Sequence, residues 1–279
     1  LAERDRGRLD RDAAGQRVPG AIALIGVARS GTLGCMSEPT IDIAKDQLAQ
    51  AAVAGITHRM TVGLGTGRAA TRAIHALADR IHHAGLAHIK AVATSKASAD
   101  LARELGIEVG EMRDTLTVDV LFDGADEFDD EMRMIKGGGG AMTREKIVAY
   151  GARRRVYLVQ HTKRAERLGD SFRVPVEVLE FALGVLTARF EWLGLDPRMR
   201  LDGNSQPIRT DNGNLILDLA MPADPDRNPG DRNAMDPEMF RAALNSMPGI
   251  VDHGLFLDEA DEIIIEDENG DLSRLVRPD

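Results

Sequence analysis

The sequence predicts an α/β protein built on a parallel sheet, with a smaller antiparallel α+β domain placed before the last strand. Three observations carry this. Short apolar runs alternate with helical patterns as far as about residue 160, the rhythm of βαβ units. The glycine-rich and acidic turns of that stretch fall where strands should end. Past Phe172 the texture changes to strand, helix and an Asn212-Gly213 step between apolar residues, a hairpin signal.

The elements follow in order. Ala44, Leu48, Ala51, Ala52 and Ile56 mark one face of a first helix, and Met60 to Leu64 is a short apolar strand. After a glycine turn, Ala70, Ala73, Ile74, Leu77, Ala78 and Ile81 recur at three and four, a second helix. Ile89 to Ala93 reads as a strand, Ala99 to Leu105 as a helix ended by Gly106, and Val118 to Phe122 as a strand closing on Asp123. A glycine run at 137–140 precedes a helix through Tyr150 and a strand from Val156 to Val159. Strands linked this way lie parallel in a Rossmann-like sheet with the site at their carboxyl ends.

The second domain is assigned to residues 171–249 and is expected to be ferredoxin-like. It holds a strand from Phe172 to Val178, a helix from Phe181 to Leu193, and a hairpin joining 207–210 to 215–219 through Asn212-Gly213. Pro222 to Pro237, with its prolines, Asp and Asn, reads as an exposed loop. The β-branched run Ile263 to Ile265 returns to the first sheet, so residues 39–170 and 250–279 form the larger domain. Residues 1–35 are Arg-rich, then Gly- and Ala-rich, without helical period or cap signal. Glu3, Asp5, Asp10 and Asp12 disfavour a transit peptide and Arg29 a secretory signal. Residues 1–38 are therefore expected to be an extension outside the fold, from a translation start placed too far upstream.

Composition removes several function classes. The longest apolar run, residues 21–28, is far short of a membrane span. A single cysteine, Cys35, allows neither an internal disulfide nor a cysteine zinc cluster. The net charge of -10 argues against a nucleic-acid face, so an anionic ligand must be met by locally placed cations. Only 6 of the 35 basic residues are lysine, which makes each lysine informative about local chemistry.

Three constellations carry candidate chemistry. Gly63-Leu64-Gly65-Thr66-Gly67-Arg68-Ala69-Ala70 turns from strand to helix, and its free N–H groups suit a phosphate, with Thr66, Gly67, Arg68 and Ala69 as candidate contacts. A nicotinamide cofactor would need an acid at the end of the next strand, but that strand ends in Thr94-Ser95 and no acid lies between Asp79 and Asp100. Asp123-Gly124-Ala125-Asp126-Glu127 is readable as a metal cluster, a solvated loop or paired carboxylates handling hydroxyl protons. Lys136-Gly137-Gly138-Gly139-Gly140 lets a ligand oxygen approach several N–H groups beside a cation. Glu145, in the first turn of the following helix, is either a base or an ordinary dipole-favoured acid.

These motifs, in this order and spacing, together with Ala93-Thr94-Ser95 and Arg144-Glu145-Lys146-Ile147-Val148, resemble ribose-5-phosphate isomerases of type A. Val174-Pro175-Val176-Glu177-Val178, Thr210-Asp211-Asn212-Gly213-Asn214 and the stretch Pro248 to Phe256 are similar to later signatures of that family, so the resemblance runs from about Ile41 to Glu266. It implies interconversion of ribose 5-phosphate and ribulose 5-phosphate with no cofactor and no metal. Glu145 would be the base between carbons 1 and 2. Asp123, Asp126 and Lys136 would complete the catalytic set, the two aspartates holding sugar hydroxyls and helping to open the ring. Lys45, Gly124, Ala125, Gly137, Gly138, Gly139 and Lys163 would join the substrate contacts.

The chemistry agrees with that implication. Removing a proton beside a carbonyl places charge on oxygen, which requires a base together with donors aimed at the enediolate. Lys136 and the N–H groups of Gly137 to Gly139 are the expected donors. Two departures stand out: Arg68-Ala69 replaces the family's Ser-Thr in the phosphate loop, and Gln160 stands where an Asp is usual three residues before Lys163. The alternatives are an isomerase of another phosphorylated or acidic sugar, a non-catalytic sugar-phosphate sensor domain, and a coenzyme A transferase using a Glu nucleophile. A repressor sensor would carry a helix-turn-helix, which residues 1–35 do not form. The expected setting is a cytoplasmic homodimer or homotetramer.

Overall fold

The computed structural model describes residues 45–225, 231 and 233–278. The expected N-terminal extension, Ala44 of the first helix face and most of the 226–232 stretch of the Pro222 to Pro237 loop lie outside these residues. Helix α1 (Gln47–Val53) leads to β1 (Thr61–Leu64), α2 (Arg68–His83), β2 (Lys90–Ala93), α3 (Lys96–Glu104), β3 (Val109–Gly110) and β4 (Val120–Gly124). Two short strands, β5 (Glu127–Phe128) and β6 (Met134–Ile135), precede α4 (Met142–Gly151) and β7 (Arg155–Gln160). Next come β8 (Val174–Val178), α5 (Leu183–Trp192), β9 (Arg198–Met199), β10 (Leu215–Leu219), α6 (Pro237–Asn245) and β11 (Ile250–His253). The chain closes with β12 (Leu255–Phe256), β13 (Glu262–Glu266) and β14 (Leu272–Val276).

The main sheet has the order β14-β13-β7-β4-β1-β2-β3. Its six strands from β13 to β3 are parallel, and read from β3 they follow the Rossmann order with the chain reversing direction across the sheet between β1 and β4. The local chemistry accounts for the helices that cover it. Asp46 caps α1 through Ala49 N at 2.9 Å, and Ser95 caps α3 through Ser98 N at 3.1 Å. Helix α2 buries Ala70, Ala73, Ile74, Ala76, Leu77 and Ala78, and carries Arg80 in its last turn, where a cation meets the negative end of the helix dipole. Arg72 joins Asp46 and Glu266, tying α1, α2 and β13 together.

The second sheet is antiparallel, in the order β11-β8-β10-β9. With α5 and α6 it is a βαββαβ unit of ferredoxin-like topology. Its core is Val174, Val176, Val178, Leu186, Phe190, Leu215, Leu217, Leu219, Phe240 and Leu244. A third, three-stranded sheet, β12-β6-β5, borders the loops that carry the acidic and glycine motifs.

Several expectations need correction. The main sheet is mixed, because β14 pairs antiparallel with β13 at the edge. The hairpin around Asn212-Gly213 forms its turn but hardly any ladder. Thr210 N and Asn214 O are 2.9 Å apart and a single bridge joins Arg209 to Leu215. The side chains of Thr210, Asn212 and Asn214 instead converge on the buried Glu177. The antiparallel partners of β10 are therefore β8 and β9. The strand expected from Phe172 starts at Val174, since Phe172 N donates to Glu127 at 2.9 Å rather than to a ladder. The helix expected over 181–193 is a 3-10 turn (Glu180–Ala182) followed by α5.

Candidate active site

The strand-end turns meet where the main sheet reverses, at the carboxyl ends of β1 and β4. The phosphate-type loop is drawn onto the end of β4. Asp123 Oδ1 accepts from Thr66 N at 2.9 Å and from Gly124 N at 2.7 Å. Gly65 makes that approach possible, because a Cβ there would lie 2.2 Å from Asp123 Oδ1 and 2.5 Å from Asp123 Cα. Thr66 Oγ1 also bonds Thr94 Oγ1 at 2.8 Å, so the Ala93-Thr94-Ser95 motif braces the loop from β2.

A cavity of about 370 Å³ opens over this junction. It is lined by residues 66–69 and 124–126, by Lys136 to Gly139, and by Glu145, Lys163 and Phe172. Thirteen of the fifteen sequence-derived candidates thus face one space. Lys45 is not among its lining residues, and Asp123 is fully buried behind it. Lys163 Nζ donates to Ala125 O, and burial draws its pKa downward. Arg68 is exposed at the mouth of the cavity, on the first turn of α2.

Lys136 is 2% exposed and stands between two carboxylates. Its Nζ is 3.0 Å from Asp123 Oδ2 and 3.4 Å from Glu145 Oε1, and it donates to Gly124 O. The rings of Tyr157 and Phe256 both lie 5.4 Å from the ammonium. Burial lowers the Lys136 pKa, but Asp123 and Glu145 raise it by more, so it remains a cation. One ammonium beside two buried carboxylates leaves one negative charge uncompensated. Glu145 takes up that imbalance. Burial, joined by the neighbouring Asp123 and Asp126, pushes its pKa up to about 8 against the pull of Lys136. Among the described residues, Glu145 Oε2 is a buried oxygen without a hydrogen-bond partner.

One expectation about individual groups changes here. Asp123 accepts from two backbone N–H groups through Oδ1 and pairs with Lys136 through Oδ2, so it fixes the loop and the lysine from behind the cavity. The three donors expected from the glycine loop reduce by one, since Gly138 N donates to Asp126 Oδ2 at 2.7 Å. The loop turns on Gly137 and Gly140, with φ of 94° and 79°, a region in which side chains are strained. Glu127 is a structural acid. It is fully buried and accepts from the N–H groups of Gly169, Ser171 and Phe172, which carries Phe172 to the cavity wall.

Three groups carry no signal of a site role in the sequence. Phe172 reads there only as a strand start. Glu177 organises the Thr210 to Asn214 turn and also accepts from Thr143 Oγ1, at the start of the helix that carries Glu145. Arg200 reaches the glycine loop from beside β9. The family resemblance marked the segments around Glu177 but assigned them no contact.

Comparison with known proteins bears on this geometry. Residues 90–270 match the family model described as ribose 5-phosphate isomerase A (phosphoriboisomerase A). A curated relative, ribose-5-phosphate isomerase A of Roseiflexus sp. (strain RS-1), is 40% identical over 229 residues, which cover 82% of this chain and 94% of the relative. Among solved structures, a D-ribose-5-phosphate isomerase in complex with phospho-erythronic acid superposes with a TM-score of 0.76 at 32% identity, covering 82% of this chain and 96% of that one. Ribose 5-phosphate isomerase A of Methanocaldococcus jannaschii gives a TM-score of 0.74 at 33% identity, with 82% and 96% covered.

Proposed function

The chain belongs to the ribose 5-phosphate isomerase A family, and from that premise we propose that Glu145 moves the proton by which D-ribose 5-phosphate and D-ribulose 5-phosphate interconvert. The observation that carries the assignment is the buried arrangement of one lysine and two carboxylates, in which Glu145 lines the cavity with Oε2 unpartnered, while Asp123 lies behind it with Oδ2 ion-paired to Lys136. In the aldose-to-ketose direction, Glu145 takes the proton from carbon 2 of the open-chain sugar. The electron pair shifts toward the carbonyl oxygen on carbon 1. Lys136 and the free N–H groups of the glycine loop meet that negative charge. The hydroxyl proton on oxygen 2 passes to oxygen 1, and Glu145 returns its proton to carbon 1. The raised pKa suits a base that must also act as an acid near neutrality. Asp126, on the cavity wall, is the carboxylate placed to hold a sugar hydroxyl during ring opening. An isomerase of a different sugar is the less favoured reading, because the matched relatives carry the ribose 5-phosphate name over most of their length.

The phosphate is assigned to the start of α2, remote from the reacting carbons, where it restricts the orientation of the substrate. Arg68 there replaces two hydroxyl donors with a guanidinium able to hold phosphate oxygens in a bidentate pair. Arg68→Ala is expected to raise KM for ribose 5-phosphate about tenfold, since a charged hydrogen-bond pair is worth about 1.5–3 kcal/mol. Placing Ser and Thr at 68 and 69 should restore binding. Steady-state kinetics decide, and an unchanged KM in Arg68→Ala would remove Arg68 from phosphate binding.

The chain is further read as a homodimer or homotetramer in the cytoplasm. No helix among the described residues is long and apolar enough to cross a membrane. Phe181, Val185 and Leu179 are exposed around the start of α5, and a second copy would cover such apolar surface. Sedimentation equilibrium is expected to return a mass above that of one chain. A monomer at micromolar concentration would refute the assembly.

A further inference from the structure

We propose that Arg200 is a positioning residue for the isomerisation, holding the glycine loop so that its donors face the substrate. The proposal rests on the site reading above and adds to it a residue from the second sheet. Arg200 Nη1 donates to Gly137 O at 2.8 Å and to Gly138 O at 2.9 Å. The rest of the guanidinium forms a two-pronged pair with Asp218 on β10, with Nε to Oδ2 at 2.9 Å and Nη2 to Oδ1. The backbone beneath it is fixed as well. Arg200 N donates to Ile216 O at 3.0 Å, and Arg200 O accepts from Ile208 N at 2.9 Å.

The consequence follows from peptide geometry. In a trans peptide the C=O of one residue and the N–H of the next point in opposite directions. By gathering the carbonyls of Gly137 and Gly138 on the side of the second sheet, Arg200 turns the N–H groups of Gly138 and Gly139 the other way. Gly138 N–H accordingly meets Asp126 Oδ2 at 2.7 Å. Gly139 N–H has no acceptor among the described residues, and Gly139 lines the cavity. A glycine loop is free to rotate these planes, and rotation of either would present a carbonyl oxygen to a developing enediolate. The same guanidinium withdraws electron density from the two amides whose donors it aims. Few other side chains restrain the loop. Asp126 holds it from the cavity side, and the second sheet touches it again where Pro175 Cγ lies 3.4 Å from the Cβ position of Gly137 and Ile216 Cδ1 lies 3.1 Å from that of Gly140.

The test is kinetic and uses the whole chain. Arg200→Gln is expected to lower kcat for ribose 5-phosphate on the order of ten- to a hundredfold, less than complete loss of an oxyanion donor costs. Its KM should stay within about threefold, because the affected donors act on charge that appears only in the transition state. Asp218→Asn breaks the same ion pair but leaves the bonds to the two carbonyls, so its kcat should stay near wild type. Arg200→Lys keeps the charge and one bond. It should fall between wild type and Arg200→Gln, and it serves as the variant to read if the glutamine protein does not fold. The positioning role is overturned if Arg200→Gln or, in its place, Arg200→Lys keeps wild-type kcat, if the loss is confined to KM, or if Asp218→Asn loses as much kcat as the arginine variant. Glu145→Gln run beside them separates the two claims. An active Glu145→Gln overturns the assigned base. An inactive one beside an unimpaired arginine variant overturns the role of Arg200 alone.

Discussion

Glu145→Gln is expected to lower kcat for ribose 5-phosphate on the order of a thousandfold while leaving substrate affinity close to wild type. The amide keeps the shape of the side chain and its contact with Lys136 but cannot accept the proton from carbon 2, and positioned proton transfer is worth about 10²–10⁴ in rate. In the wild type, kcat/KM should rise with pH and level off above about 8, following ionisation of the Glu145 carboxyl in the free enzyme. The same group carries a stability signature of known sign. Its folded pKa lies above its unfolded value, so the folded state binds the proton more tightly. The associated stability is complete below the ordinary glutamate range and is lost as pH rises through about 8. Glu145→Gln should therefore melt higher than wild type, with the gap widening from pH 5 to pH 8. Turnover within tenfold of wild type, or a gap that narrows with pH, would refute the assignment.

Lys136→Met should be the most damaging change to fold and activity together. It leaves Asp123 and Glu145 buried with no cation between them, and removing one member of such a group costs about 3–5 kcal/mol. It also removes the electrophile proposed above, for which a loss on the order of a hundred- to a thousandfold in kcat is expected. Urea denaturation and kinetics on the same samples measure both effects. Adding Asp123→Asn separates them. The asparagine retains Oδ1 for Thr66 N and Gly124 N, so stability should largely return while turnover does not. If the single variant is as stable as wild type, the ionised state described for this group is wrong.

The parts of the molecule legible in the sequence are those whose physics is local. The βαβ alternation shows because buried parallel strands are short apolar runs and their helices repeat at three and four. The site shows because strand-end turns that approach a ligand or a carboxylate closely require glycine, as Gly65 does against Asp123. Edge strand β14, Leu-Ser-Arg-Leu-Val, has exposed residues on both faces and no apolar run, so nothing marks it. Helix α6 sits behind a proline-rich loop whose turn signals mask its start, although Asp236 caps it through Met239 N and Pro237 opens it. The burial of Asp123, the diversion of Gly138 N–H and the reach of Arg200 depend on contacts between distant segments. One arginine among 29 carries no local sign of such a contact.

The placement of the second sheet within the chain also dictates an order of assembly. Strand β13 pairs with β7 only after the insert between them, the stretch that carries the second sheet from β8 to β11, has been made, the register joining Glu262 to Val156. The same holds closer to the chemistry. Lys136 N is fixed by Gly254 O at 2.8 Å, and β6 is completed by β12, both contributed by chain that follows the insert. On a ribosome, the nascent protein therefore carries β7 as an unpaired, apolar sheet edge through synthesis of the entire insert, a state that invites association with other chains. Lys136 gains its final backbone anchor only near the end of translation. Incomplete chains are thus both aggregation-prone and without a finished site, and the late contacts span long sequence separations of the kind that slow folding.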